Sequence, residues 1–280
     1  MITGLKSRIE EAGFECELHT DLSQMADRAK TISNEGRLRT VVSAGGDGTA
    51  STVASLIPVG IPMTLFPTGS ENLLAKHFSI TDDISQCVKS ILRMRTKKLD
   101  LMMVNSRLSL LMASIGFDAE VVRLVHQSRT THVSKWTYWR SILCTLLFYR
   151  WPDLQIVLRD EQDVVIADVT GSWIFAFNVP RYASGLSIIE DAVENDGLLD
   201  IGIFDRGGML NGLRCYWAVA RGKHHSSKNW RRFRSSSVEI NLSPSCRAQK
   251  RVSSCQADGD WASELPVKLK IMDRKLDIVV

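Results

Sequence analysis

Two short apolar stretches constrain this chain more than any other feature, because each ends in a glycine-bearing polar turn and each is followed by a helix-forming run. The first, Leu38 to Ser43, ends in Ala44-Gly45-Gly46-Asp47-Gly48-Thr49, and the second, Ile61 to Phe66, ends in Pro67-Thr68-Gly69-Ser70-Glu71-Asn72. Apolar strands alternating with helices specify an α/β layer around a parallel sheet. Both turns then lie side by side at the C-terminal edge of that sheet, where backbone N–H groups and helix N-termini favour phosphate. Glycine alone is weak evidence, since a tight strand-to-helix turn needs it for conformational reasons. Asp47 carries more information: it places a carboxylate at the sheet edge, where a metal, a ribose or a metal-bearing phosphate can be held. Two such turns at one edge point to a nucleotide cleft.

The flanking sequence fits this reading. Leu5 to Ala12 reads as a helix end with Gly13 at its C′ position, followed by an alternating strand from Phe14 to His19. Thr20 or Asp21 can cap a helix running to about Ser33, and further helices are expected over Ala50 to Leu56 and Leu73 to Phe78. Beyond Lys98 the pattern changes to short strands: Lys98–Val104, Arg107–Ser114, Leu154–Leu158, Val164–Asp168, Ser172–Asn178, Leu199–Phe204, Ser237–Leu242, Val267–Met272 and Lys275–Val280. Helical stretches at Ala119–Tyr149 and Gly208–Arg221 interrupt them. The expected division is therefore an α/β domain over residues 1–98 and a mostly β domain over 99–280.

Composition excludes several classes. With 280 residues, 44% hydrophobic and 24% charged, the chain can bury a sizeable core, which argues against disorder or a fibrous repeat. A net charge of +4 does not by itself imply nucleic acid. Six cysteines without a CxxC pair suggest neither zinc nor a disulfide framework, and a reducing cytosol is the expected compartment. The longest apolar run, Ile142 to Tyr149, is far short of the roughly 20 residues of a spanning helix, and no signal peptide is apparent.

The paired turns also carry a family resemblance. Val41 to Thr49, followed by Pro67-Thr68-Gly69-Ser70-Glu71-Asn72-Leu73-Leu74-Ala75, resembles the GGDGT and P-x-G-T-x-N-x-x-A signatures of the diacylglycerol kinase catalytic-domain family, which includes diacylglycerol, sphingosine and bacterial lipid kinases. NAD kinases share the first signature. The second half resembles the lipid-kinase branch through Ala113-Ser114-Ile115-Gly116-Phe117-Asp118-Ala119, Asn178 with Gly185, Ala192 to Asp200, and Asp258-Gly259-Asp260. The resemblance implies a NAD kinase-like nucleotide-binding α/β domain followed by a β-sandwich domain, with ATP- and Mg2+-dependent transfer of a phosphoryl group to a lipid hydroxyl in a cleft between them. By position, Thr20, Gly45, Gly46, Asp47, Gly48, Thr49, Ala50, Ser51 and Ser70 would contact ATP, and Asp47 would also orient the Mg2+-nucleotide. Asp260 would take the proton of the attacking hydroxyl. Asp196, with the carbonyls of Val193 and Leu198, would hold a second, structural Mg2+. The implied partners are ATP, a membrane lipid and a peripheral membrane surface at the inner face; a homodimer is allowed and nucleic acid is not among them.

The sequence departs from the family pattern in three places. Met1 falls where the helix after the family's opening strand and N-P-x-[SA]-G turn is already under way, so that strand is expected to be missing, through a start placed too far downstream or a shortened chain. Ser51 and Thr52 replace the usual Asn and Glu, and Asp260 replaces the usual Glu with an acid ~1.5 Å shorter. These leave open a catalytically impaired nucleotide- or lipid-binding relative, or a NAD kinase-like enzyme with a soluble substrate.

Two basic stretches stand out. Residues 123–151 contain Arg123, Arg129, Lys135, Arg140 and Arg150 with no acid, interleaved with Trp136, Tyr138, Trp139, Phe148, Tyr149 and Trp151. They read equally as a membrane-facing element or as an amphipathic helix packed on the sandwich. Residues 206–234 hold eight basic residues and no acid, without the pattern of a nucleic-acid site. His224 and His225 read as exposed polar surface rather than a metal site, and Asp191 and Glu194, near Asp196, as solvated loop acids rather than groups supporting a metal there.

Overall fold

The computed structural model describes residues 1–127, 135–182 and 188–280. Arg129 and Gly185 of the sequence reading lie outside the described residues, as do the side chains of Lys135 and Tyr138. The chain forms two compact units, Met1–Asp100 with Arg274–Val280, and Leu101–Asp273. The first unit thus recruits the C-terminal end of the chain, which a single cut near residue 98 does not anticipate.

In the first unit, α1 (Ile2–Glu11) buries Leu5 and Ile9, one turn apart, and Gly13 follows it at φ +91°. Residues 14–19 join no sheet. Phe14 and Cys16 pack against the cluster of Leu5, Ile9, Phe66, Cys87 and Ile91, while Arg28 binds Glu17 at 2.6 Å, so their alternation reflects one-sided packing without a ladder. The Asp21 carboxylate caps α2 (Leu22–Asn34) by accepting from the N–H groups of Ser23 and Gln24. Next come β1 (Val41–Gly45), α3 (Asp47–Leu56), β2 (Met63–Pro67) and α4 (Leu73–His77). α5 (Ile84–Arg93) was not anticipated, although Asp83 caps it through the Gln86 N–H and Cys87 and Ile91 form its buried stripe. β1 and β2 are parallel in register Val41↔Met63 to Gly45↔Pro67. The far side of β2 pairs in parallel with Ile278 and Val279, which explains why the chain's end belongs here: a buried strand needs a partner on each edge.

β3 (Thr96–Val104) leads into the second unit, which contains β4 (Arg107–Ser109), β5 (Met112–Ile115), α6 (Phe117–Gln127), α7 (Lys135–Phe148), β6 (Leu154–Arg159), β7 (Val165–Gly171), β8 (Trp173–Phe177), β9 (Leu199–Phe204), α8 (Met209–Ala220), β10 (Trp230–Ser235), β11 (Ser237–Leu242), α9 (Pro244–Ala248), β12 (Ser254–Ala257), β13 (Asp260–Glu264) and β14 (Val267–Val279). Arg107 to Ser114, expected as one strand, is two, and the last two expected strands are one. One antiparallel layer joins β14, β11, β6 and β7, and the other runs β10-β9-β8-β5-β12-β13. Their inner faces share a core that includes Ile156, Leu158 and Val238 from one layer and Ile174, Ala176, Ile201 and Ile203 from the other. The alternate residues of β8, Trp173, Phe175 and Phe177, pack away from that core, where Phe117 meets Trp173 and Tyr182 meets Phe175 and Phe177.

Candidate functional site

The two glycine turns of the first unit are joined by direct contacts. The N–H of Thr68 donates to the carbonyl of Gly45 at 3.0 Å, extending the β1–β2 pairing to the turns. Gly46 and Gly69 pack backbone to backbone: a Cβ on Gly69 would lie 2.6 Å from the Gly46 Cα. Asn72, in the left-handed region at φ 50°, closes its turn by accepting from the Gly69 N–H at 3.1 Å and donating to the Gly69 carbonyl at 2.6 Å. The Asp47 carboxylate then reaches from the first turn to the second, accepting from the N–H groups of Leu73 and Leu74 at 2.9 and 3.0 Å. It satisfies two of the donors that the start of α4 leaves without an intrahelical acceptor. Asp47 therefore has a structural task that the sequence reading did not foresee.

α3 begins differently. Its N-cap is Gly46, which has no side chain with which to cap the first turn. Gly48, Thr49, Ala50 and Ser51 form that turn and the next; Ala50 and Ser51 are buried, and the Thr49 side chain lies so close over Gly45 that a Cβ there would meet it at 2.5 Å. A crevice lined by Ser43, Gly45, Gly46, Asp47, Phe66 and Asn72 lies here. Ser70 is exposed on the second turn, and Thr20 sits at the bend preceding the Asp21 cap.

In the second unit, Asp258-Gly259-Asp260 forms the turn between β12 and β13. Asp258, at φ 52°, accepts from the Ser109 hydroxyl at 2.7 Å and from the N–H groups of Leu110, Leu111 and Met112 at 2.9 to 3.1 Å. Asp260 is half-buried and takes a 3.3 Å contact from the Arg107 guanidinium, which also donates to the Trp261 carbonyl at 3.1 Å. Of the two acids, Asp258 fixes the turn and Asp260 pairs with Arg107.

The donor set around Asp196 does not fit the expected Mg2+. Arg234 donates to one carboxylate oxygen, and the other accepts from the Leu198 N–H at 3.0 Å. A cation bound by Asp196 with the Val193 and Leu198 carbonyls would have to displace a guanidinium. Asp191 is an exposed loop acid, as expected, and is also paired: Arg232 binds it at 2.7 Å and holds its carboxyl below the usual carboxylate range. Among the described residues, no group of three or more His, Cys, Asp or Glu side chains is placed to hold a metal ion.

Two further features were not legible. The Asp118 carboxylate accepts from the Ser114 hydroxyl at 2.5 Å, the Gln256 amide at 3.3 Å and the Tyr182 hydroxyl, and burial pushes its carboxyl up from the ordinary 3.8. Ser114 and Asp118 are four apart across the β5–α6 turn, a spacing the sequence displays, but Tyr182 and Gln256 arrive only through the sheet pairing. His224, expected at the surface, is fully buried: its Nε2 lies 2.7 Å from the Ile188 carbonyl and its ring stands edge-on to Trp230. A single 3-10 turn at 224–226 tucks it inward and leaves His225 outside.

A parallel α/β unit with paired glycine turns, followed by an antiparallel sandwich, defines the NAD kinase-like class of nucleotide-binding phosphotransferase folds. Comparison with known proteins makes this specific. Residues 1–104 match the diacylglycerol kinase catalytic domain, and residues 112–280 match the YegS C-terminal NAD kinase beta sandwich-like domain. The chain belongs to the diacylglycerol kinase catalytic-domain family. It is 25% identical over 252 residues to a diacylglycerol kinase of Mycobacterium tuberculosis, covering 85% of this chain and 76% of that protein. It is 22% identical over 285 residues to a diacylglycerol kinase of Bacillus subtilis, covering 98% and 88%. An uncharacterized protein of Synechocystis is 26% identical over 243 residues, and there the match spans 54% of the relative's length. In fold, the chain is similar to a diacylglycerol kinase from Bacillus anthracis (TM-score 0.60, 14% identity, 94% of this chain and 83% of that one). It is also similar to an NAD kinase from Archaeoglobus fulgidus solved with ATP (TM-score 0.53, 13% identity, 100% and 89%). These likenesses support a kinase that uses ATP.

Proposed function

We propose that this protein is a lipid kinase that transfers the γ-phosphate of ATP, bound as its Mg2+ complex, to a lipid hydroxyl at an anionic membrane surface. The observation that carries the lipid assignment is the inverted polarity of α7. Among its described side chains the buried ones are Ser141 and Thr145, whereas Trp136, Trp139, Leu143, Leu147 and Phe148 are exposed, Trp136 at 83% and Phe148 at 79%. A helix packed on a sandwich turns its apolar face inward; this one presents it outward. α8 packs beside α7 and exposes Met209, Leu210, Leu213 and Trp217 along one stripe. Arg140, Arg150, Arg206, Arg214 and Arg221 are basic positions on or beside the two helices, and neither helix contains an acid. Aromatic and aliphatic side chains flanked by arginine suit the interface of an anionic bilayer. Among the described residues, no helix is long and apolar enough to cross a membrane, so the reading is of attachment at a surface, on the cytoplasmic side where ATP is available.

The division of labour follows from the chemistry of phosphoryl transfer, which is mostly positioning and charge neutralisation. The N-terminus of α3, with Gly45 to Ser51, receives the nucleotide phosphates; Ser70 and Thr20 add hydroxyl contacts. Asp47 keeps the two turns in register through α4 and orients the Mg2+ that travels with ATP. Asp260 accepts the proton of the lipid hydroxyl as it attacks, and Arg107 holds that carboxylate in place. A homodimer is compatible with this scheme and not required by it.

The test is phosphorylation by the purified protein, with labelled ATP, of diacylglycerol, sphingoid base or phosphatidylglycerol presented in anionic vesicles, beside NAD as a soluble acceptor. Labelled lipid is the expected product, and exchanging Trp136 and Trp139 for Ser should reduce it more for vesicle-borne than for detergent-dispersed substrate. NADP without labelled lipid would replace this reading with the soluble-substrate alternative, and no transfer at all with ATP still bound would identify an impaired relative.

A further inference from the structure

The loop preceding β9 carries Asp191 and Asp196, and β9 itself carries Asp200, and arginines of one strand bind all three. Arg232 and Arg234 are two apart on β10 and so project to the same face. Arg232 donates to both Asp191 oxygens, at 2.7 and 2.9 Å, and to Asp200 at 2.6 Å. Arg234 donates to Asp196, with its Nε 3.6 Å from Asp200. Asp200 is only 1% exposed, and a carboxylate so deeply buried requires this kind of pairing. The remaining Asp196 oxygen accepts from the Leu198 N–H at 3.0 Å, which closes the turn around Gly197.

We infer that in this chain the Arg234 guanidinium stands in the place of the divalent cation implied by the family resemblance, so that the loop at 191–198 is closed by an internal ion-pair network and takes up no metal. Mg2+ demands near-octahedral oxygen ligands and gives up water reluctantly. To bind at Asp196 it would have to evict Arg234 and then sit beside two guanidinium charges. A guanidinium needs no such exchange: its planar fork of donors neutralises Asp196 while its Nε faces Asp200, a bridging geometry that a compact cation bound to one carboxylate does not supply. Two arginines against three carboxylates leave a single negative charge in the network, too little to recruit a second cation from solution. The inference is independent of the lipid-kinase reading, since it concerns the nucleotide-free protein and its readout is metal binding and unfolding.

The test uses the full chain, stripped with EDTA and free of nucleotide. Mn2+ is titrated and bound ion is read by electron paramagnetic resonance for the wild type and Asp196→Asn, and thermal unfolding is followed with and without Mg2+. The expected result is the same Mn2+ uptake in both proteins and a wild-type unfolding temperature that Mg2+ does not move. Mn2+ held by the wild type and lost in Asp196→Asn, or a Mg2+-dependent rise in the wild-type unfolding temperature that Asp196→Asn abolishes, would overturn the inference. Arg234→Ala should gain a Mn2+ site that a further Asp196→Asn removes. A folded Arg234→Ala that gains none would show that the guanidinium does not occupy the cation's place. If Arg234→Ala does not fold, the comparison of wild type with Asp196→Asn decides alone.

Discussion

Gly46 and Gly69 face each other so closely that a methyl group on Gly69 would stand 2.6 Å from the Gly46 Cα. Since backbone cannot yield as a flexible side chain does, Gly69→Ala should push the two turns apart, weaken ATP binding at least tenfold and cost roughly 1–3 kcal/mol of stability. Gly4→Ala is the control: its added carbon would meet only the Ile84 side chain at 3.5 Å, within α1, and should stabilise by about 0.5–1 kcal/mol. Titration calorimetry and denaturant unfolding measure both effects. Wild-type nucleotide affinity in Gly69→Ala would show that the close approach is unnecessary.

Asp47 should affect stability and catalysis together. Asn at this position can accept from only one of the Leu73 and Leu74 N–H groups through its single carbonyl oxygen, which costs about 1–2 kcal/mol of cap energy. Asp47→Ala should lose the cap entirely and abolish phosphoryl transfer. Unfolding curves and a labelled-ATP assay separate the two contributions, and an Asp47→Asn protein as stable as wild type would remove the capping role.

For Asp260 the expectation is kinetic. Asp260→Asn keeps a partner for Arg107 but cannot take a proton, so kcat should fall by ~10²–10⁴ with little change in the KM for ATP. Asp260→Glu should retain turnover, because the longer acid can reach the same acceptor. Its neighbour Asp258 should behave differently: removing its carboxylate withdraws the acceptor of four donors and should unfold the turn rather than change the rate at constant structure. Equal kcat in wild type and Asp260→Asn would eliminate it as the base.

Asp118 predicts a pH dependence of stability. Burial raises its carboxyl in the folded state above the ordinary 3.8, so the folded protein holds that proton longer than the unfolded chain does. The contribution is fully present below 3.8 and is lost as pH rises through the folded value. Asp118→Asn removes this titration, and its stability relative to wild type should climb from acid to neutral pH. A difference that stays constant across a pH series of urea denaturation curves would contradict the assignment.

The glycine turns, their strands and the α/β-to-β order were readable because each depends on neighbours in sequence: an apolar run, a glycine where a turn must tighten, a cap such as Asp21. The chemistry of the first site was also local, since Asp47 lies between the glycines that shape its turn. What the reading lacked was what Asp47 touches. Leu73 and Leu74 are twenty-six and twenty-seven residues away and meet it only once β1 and β2 pair in register. Phe14 to His19 misled for the complementary reason: alternation records which side chains are buried, and says nothing about whether another strand is present to take the hydrogen bonds.

The charge pairing around β10 was decided by the tertiary structure. Arg232 and Arg234 appeared in sequence as part of a basic stretch, and Asp191, Asp196 and Asp200 as separate loop and strand acids; antiparallel β9 and β10 bring them together, Arg234 opposite Asp200. Likewise, composition could say that α7 carries two tryptophans and an arginine, but which face is covered depends on what it packs against, and among its described side chains the covered ones proved to be Ser141 and Thr145. The sequence by itself determined most of the elements and the two glycine turns, because local conformation and burial pattern are properties of short segments. The partners of Arg232 and Arg234 and the direction in which α7 turns its apolar side chains were set by long-range pairing, whose energy depends on distances that no short segment contains.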